Sequence, residues 1–452
     1  MQRDAIDFGT VDVSTLFRKL FVPTLLGMIS ISAVTAIDGI FVGHGVGSDG
    51  IAAINICIPV LMIFAGFGLM MGAGCSVAAS IHLSKGNDKA ARIHATQALL
   101  FATVVTLVLS AVILLFPQQT ARLLGSSETL LPQVQAYLYG FIPGLVFQMW
   151  SAIGLFVIRL DGAPKLAMWC NVVAAVVNVG LDWLFIFPLG MGVAGAAIAS
   201  TISMAIGAII ALVYLIRYAD RLKLYRLKAT WKSFRLMMRN IGYQCRIGSS
   251  ALLGEATMAV LMFVGNLVFM HYLGDYGVGA FGVACYYAPF VFMVGNAIAQ
   301  SAQPIISYNF DGAPHRAFTA QRIALLTAFG CGLTVTVAFL SGAELFVGLF
   351  LHPSDPAAVI ATNGLPFFAL GFIPFIFNLT AIGYYQSVER MRFATGYALL
   401  RGVVFLVPSF LLLPRAIGSD GIWLAMPLSE TLTGLVIVAV YLFGRKRAHG
   451  PQ

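Results

Sequence analysis

The sequence predicts an all-α polytopic membrane protein: twelve transmembrane helices in two homologous six-helix bundles. Three observations carry that prediction. Apolar residues make up 59% of the 452 residues, charged residues only 10%, and the mean hydropathy is +0.90. A soluble domain carries about 25% charged residues, so this chain has too little polar surface for water and takes the bilayer as its solvent. Twelve apolar stretches are long enough to cross a hydrocarbon core of about 30 Å, which takes about 20 helical residues. Finally, Gly140-Phe141-Ile142-Pro143 returns half a chain later as Gly371-Phe372-Ile373-Pro374, and Ser151-Ala152-Ile153-Gly154 returns as Thr380-Ala381-Ile382-Gly383. The offsets are 231 and 229 residues.

The spans are expected near residues 16–43, 51–83, 94–116, 130–158, 166–187 and 192–216 in the first half. The second half supplies 243–273, 278–308, 318–343, 359–386, 395–414 and 421–443. Helices are required because no unsatisfied backbone group can face lipid. The first span contains Pro23, a bending point, and Asp38. The second carries Gly66, Gly68, Gly72 and Gly74, a small-residue face suited to close packing. The fourth and tenth contain the repeated phrase with Pro143 and Pro374; the sixth is rich in Gly and Ala. The domains are read as 1–218, an N-terminal bundle; 219–242, a basic linker; and 243–452, a C-terminal bundle with a short tail. The linker includes an amphipathic stretch from Trp231 to Met238, a surface segment held at the anionic inner leaflet.

Loop charge gives the orientation. All of the 27 basic residues except Arg122, Arg401 and Arg415 fall in one set of loops or at the two termini. By the positive-inside rule both termini are cytoplasmic, in a cell inner membrane. The net charge of +9 is therefore topology, not a nucleic-acid footprint. Arg401 lies within a span near its cytoplasmic end and is expected to snorkel. Asp161, Asp311 and Glu389 are expected to be solvated loop acids. The polar start of the chain and the length of the first span predict no cleaved signal. The six cysteines lack metal-ligand spacing and read as small packing residues. No nucleotide or hydrolase motif is present, so no enzymatic activity and no cofactor is expected.

Ionisable groups inside spans point to function. Asp38 and Asp182 fall at a similar depth below the outer ends of the first and fifth spans. Asn178 is one turn from Asp182 on the same face, and Ser200 and Thr201 come to a comparable level on the sixth. Two carboxylates in low dielectric share a proton or hold a cation between them. Oxygens from Asp38, Asn178 and Asp182 suit H⁺ or a hard ion such as Na⁺ as the coupling ion. Glu255 and Glu430, in the second half, are candidates for a substrate or second cation site. The carboxylate layer has no copy there. With a two-fold repeat in so apolar a chain, this predicts a transporter of small molecules.

Several motifs resemble the multidrug and toxic-compound extrusion (MATE) family. They are Ile37 to Gly43; Arg159-Leu160-Asp161-Gly162-Ala163-Pro164-Lys165; Gly192 to Ser200; and Gln303 to Phe310 followed by Asp311-Gly312-Ala313. The resemblance spans almost the whole chain. It implies two bundles in a V around a central cavity, exporting cationic or amphipathic compounds in exchange for H⁺ or Na⁺. It places Asp38, Asn178 and Asp182 at the family's ion site, with Ser200 where threonine is usual, and Glu255 near a glutamate used in other branches. A functional monomer is expected. The alternative within the superfamily is a lipid-linked oligosaccharide flippase, which calls for a more basic interior. A major-facilitator protein is disfavoured because Ser84 to Arg92 lacks a GxxxDRxGR-like motif.

Overall fold

The structure is a computed structural model that describes residues 7–227 and 230–448. Arg3, Lys228 and the last residues of the expected tail lie outside the described residues. Among the described residues all regular structure is helical. The spans are α1 (Val13–Gly45), α2 (Ser48–Ser84), α3 (Asp88–Leu115), α4 (Leu131–Leu160), α5 (Pro164–Ile186) and α6 (Gly192–Tyr218). The second half gives α7 (Trp231–Gly274), α8 (Tyr276–Asn309), α9 (Pro314–Ser341), α10 (Pro356–Ala369 with Phe372–Ser387), α11 (Met391–Ile417) and α12 (Asp420–Ala448). Eleven are long and apolar enough alone; α10 spans as a pair of helices bent by 44°. All twelve expected spans are present.

Helix ends follow local chemistry. Asp12 caps α1 by accepting the Thr15 N–H at 3.0 Å, and Asn87 caps α3 through the Ala90 N–H at 3.1 Å. The helix α7 begins at Trp231, well before residue 243, because Thr230 accepts the Ser233 N–H at 3.2 Å. The amphipathic stretch is therefore the first two turns of α7. Between α7 and α8 the chain turns at Gly274, whose φ of 63° favours glycine.

The repeated phrase marks a break in a helix in both halves. In α4, Ile142–Gly144 tightens into a 3₁₀ turn around Pro143, which has no N–H to give. Thr201 of α6 donates its hydroxyl to the Gly140 carbonyl at 2.7 Å. In α10 the bend falls immediately before Phe372, and Thr336 of α9 donates to the Ala369 carbonyl at 3.0 Å. Each broken helix thus has a carbonyl served by a threonine from a neighbour, as a span in lipid requires. The phrase's glycines let another helix approach. A Cβ on Gly140 would lie 2.7 Å from the Ala197 Cβ, and one on Gly371 2.4 Å from the Met426 Sδ.

Packing divides the chain into two units that do not follow the duplication boundary. One holds Met1–Leu252 with Ser307–Ala317; the other holds Leu253–Ile306 with Phe318–Gln452. The start of α7 joins the first unit because α2 and α7 cross in backbone contact. A Cβ on Gly74 would fall 2.0 Å from the Gln244 carbonyl oxygen, and one on Gly248 1.9 Å from that of Met70. Gln244 Nε2 also reaches His94 Nδ1 at 2.8 Å, and Asn240 donates to Gln97 at 2.9 Å. The end of α8 joins the same unit through Asn309, which donates to the Phe8 carbonyl at 2.9 Å.

One loop acid departs from expectation, and another meets it. Asp161 is not merely solvated. It accepts from the Tyr214 hydroxyl at 2.8 Å and from the N–H groups of Asp220, Arg221 and Leu222 at 2.8–3.0 Å. A carboxylate that gathers three successive N–H groups pins the exit of α6 to the end of α4. Arg92 completes the strap by donating to the carbonyls of Asp220 and Arg221. Asp311 pairs with Lys85 at 3.2 Å, both being exposed; a surface pair of this kind contributes about 0–1 kcal/mol.

Candidate cation site in the N-terminal unit

The site is built from α1, α4 and α5. Asp38 stands on α1 two turns from its end at Gly45, downstream of Pro23. Asn178 and Asp182 are four residues apart on α5, so both project on one side. They are 3% and 0% exposed. The carboxyl groups of Asp38 and Asp182 come within hydrogen-bonding reach of each other. No N–H or O–H of another described residue serves Asp38 Oδ1, Asp182 Oδ1 or Asp182 Oδ2, and Asn178 Nδ2 is likewise without a partner. Neither carboxylate is in an ion pair among the described residues. Two carboxylates this close in low dielectric repel each other, so the pair is suited to take a proton or another cation between them.

Sequence reasoning missed Tyr137. It comes from α4, is only 6% exposed, and lies in the neighbourhood of both carboxylates without bonding to their unfilled oxygens. Its ring stacks on Phe141 at 5.4 Å, beside the 3₁₀ break. The sequence signal was its position three residues before the repeated phrase, which reads as packing rather than chemistry. Ser200 is half-buried and makes no hydrogen bond to either carboxylate among the described residues. Its neighbour Thr201 is turned to α4. The structure thus sets Asp38 beside Asp182, with Asn178 one turn from Asp182 on α5, while Ser200 makes no bond to either carboxylate.

The donor set has a definite preference. Two carboxylates and one amide offer too few oxygens for calcium, which takes 6–8. Among the described residues no group of three His, Cys, Asp or Glu side chains could hold a metal. What remains suited to the site is a proton or a weakly held monovalent ion.

The other two acids are placed differently. Glu255 lies on α7 in the C-terminal unit, half-buried, next to Gly254, which packs on Phe292. Glu430 on α12 is 2% exposed and bound to Arg401. Arg401 does not snorkel: it is 1% exposed and turns inward, because a buried carboxylate on α12 offers it a closer partner than the membrane surface.

Comparison with known proteins bears on these observations. The family model MatE matches residues 23–184 and again 251–411, once in each half and at nearly the spacing of the repeated phrases. A protein called Multidrug export protein MepA, from Staphylococcus saprophyticus, is 24% identical over 449 residues, covering 96% of this chain and 95% of its own. An FAD transporter of Shewanella oneidensis is 25% identical over 441 residues, covering 94% and 93%. A solved structure, described as the outward-facing conformation of a multidrug resistance MATE family transporter of the MOP superfamily, matches with a TM-score of 0.90. It is 21% identical and covers 99% of this chain and 98% of its own.

Proposed function

The chain belongs to the MatE family, and from that premise we propose that it is a secondary active exporter. In this reading it moves cationic or amphipathic compounds out of the cell in exchange for H⁺ or Na⁺, by alternating access. The single observation that carries the reading is the Asp38–Asp182 pair: two facing carboxyls in the N-terminal unit with unfilled oxygens and no basic partner.

A cation arriving from outside neutralises the pair, and Asp38 then has no charge to repel Asp182. Relief of that repulsion is felt on α1, whose Pro23 offers a bending point within the same helix. An ion shifts a conformational equilibrium only as far as it favours one state over the other. The membrane potential adds about 2.3 kcal/mol per charge per 100 mV. The protein acts as a monomer in a cell inner membrane, with both termini cytoplasmic; the distribution of basic loops supports that orientation.

Cationic cargo is favoured because the buried unpaired charges are acidic, which also weighs against a pyrophosphate-linked glycan. The likeness to an FAD transporter supports one second reading, an anionic flavin nucleotide as cargo. The test is ethidium accumulation in efflux-deficient cells that express wild type or Asp38→Asn, with extracellular FAD measured in the same cultures. Lower ethidium in wild type alone supports drug export. Extracellular FAD that depends on Asp38, without an ethidium effect, moves the flavin reading to the front.

A further inference from the structure

The C-terminal unit holds a second buried set of charges. Arg401 of α11 and Glu430 of α12 are 1% and 2% exposed. Arg401 donates from Nη2 and Nε to Glu430 Oε1 at 2.7 and 3.0 Å, and Nε reaches Oε2 at 3.2 Å. Asn378 of α10 donates from Nδ2 to Glu430 Oε2 at 2.7 Å and to the Glu430 carbonyl at 2.8 Å. The guanidinium also lies over the Phe375 ring, 4.5 Å from its centroid. Both carboxylate oxygens are thus filled, and three helices converge on one acid.

The backbone is shaped around this contact. Arg401 sits in a π turn, Leu400–Val404, within α11. Such a turn leaves carbonyls to be served from elsewhere, and Ser429 donates its hydroxyl to the Arg401 carbonyl at 2.9 Å. A Cβ on Gly402 would lie 2.1 Å from Thr257 Oγ1, so α7 closes the next position. At the 229-residue offset, Arg401 and Glu430 fall opposite Val172 and Thr201 in the first half. The charge pair has no equivalent there.

Guanidinium stays charged at any physiological pH and matches a carboxylate with two parallel hydrogen bonds. A carboxylate so occupied has no open lone pair for a proton or Na⁺. Arg401 is the one charged side chain bonded to Glu430 among the described residues; Asn378 and Ser429 are neutral. We propose that Arg401 is a built-in counter-ion that closes Glu430 to coupling cations and so confines cation exchange to the Asp38–Asp182 pair. Arg401 is then a positioning residue that sets how many ions are exchanged per cycle. The proposal rests on the reading of Asp38 and Asp182 as the exchanging pair.

The experiment uses the purified full-length chain as wild type, Arg401→Gln, and the double variant Arg401→Met with Glu430→Met. Melting in detergent is followed from pH 8 to pH 5. Arg401→Gln leaves a lone buried carboxylate, so it melts lower than wild type at pH 8, by on the order of 5 °C. It recovers as the pH falls, because a neutral acid needs no counter-ion. The double variant lacks both charges and melts near wild type with wild-type pH dependence. In proteoliposomes the substrate gradient that stops net flux under a fixed ion gradient then gives the ion-to-substrate ratio. The double variant is expected to keep the wild-type ratio. A changed ratio or uncoupled transport in the double variant would overturn the proposal, as would an Arg401→Gln protein whose melting gains no pH dependence. If wild type moves no substrate, the functional reading fails, while the melting comparison still decides whether Arg401 is the counter-ion that Glu430 needs in the folded protein.

Discussion

Each unit buries carboxylates inside its spans, and their surroundings are opposite. Asp38 and Asp182 face each other with three unfilled oxygens. Glu430 faces a guanidinium and an amide that fill both of its oxygens. An acid within a membrane span is thus not by itself a sign of ion exchange. The sign is an acid whose lone pairs the protein leaves open. In our proposal the same residue class is a port in one unit and a bolt in the other.

One kind of substitution, made in both units, tells the two environments apart. Replacing an acid by its amide should have opposite consequences in the two units. Glu430→Gln leaves the Arg401 guanidinium buried without its charge partner, a change that costs about 3–5 kcal/mol. We expect a large fall in folded, detergent-stable protein. Asp38→Asn removes repulsion within the pair and should leave folding intact while transport falls to background. Size-exclusion profiles and transport on the same preparations separate these outcomes. Equal stability losses at both positions would erase the distinction.

A smaller effect is expected inside the first unit, where α2 and α7 cross in backbone contact. Gly248→Ala places a Cβ on the Met70 carbonyl, and overpacking of this kind costs about 1–3 kcal/mol. Gly282→Ala, which meets nothing within 4 Å, should be close to neutral. Thermal melting of the two variants gives the comparison. Smaller again are Thr201→Val and Thr336→Val, each removing one hydroxyl from a carbonyl at a helix break, at about 1 kcal/mol apiece. A loss at only one of the two would show that the halves no longer use the break in the same way.

The smallest effect concerns pH at the start of the chain. The Thr10 hydroxyl and the Gly9 N–H donate to Asp7 and hold its carboxyl below the usual carboxylate range. A depressed value stabilises the folded turn above the unfolded value of about 3.9 and loses that stabilisation as pH falls through the folded one. Protection of the Gly9 amide, measured against its intrinsic exchange rate at each pH, should therefore fall at acid pH, and Asp7→Asn should remove most of that dependence.

Much of the fold was legible because the bilayer restricts the options. Twelve apolar stretches became twelve spans, since no other backbone arrangement satisfies its N–H groups in lipid. The repeated phrase was visible as letters, but its meaning as a helix break needed coordinates. Asp38, Asn178 and Asp182 could be placed together because depth along a helix is simple arithmetic. Tyr137 could not, because aromatic residues near a repeat look like packing. Arg401 was misread as snorkelling because a span position alone does not say which way a long side chain turns. Asp161 was misread because its partners lie about 60 residues away and are mostly backbone.

The measurement that bears most directly on the central claim is dye flux in proteoliposomes under an imposed gradient. Wild type and Asp182→Asn are reconstituted at equal density, and ethidium movement is followed under a pH gradient and, separately, under a Na⁺ gradient. The account predicts that one gradient drives wild-type flux and that neither drives flux in Asp182→Asn. Flux that Asp182→Asn retains, still coupled to the same ion, would contradict it.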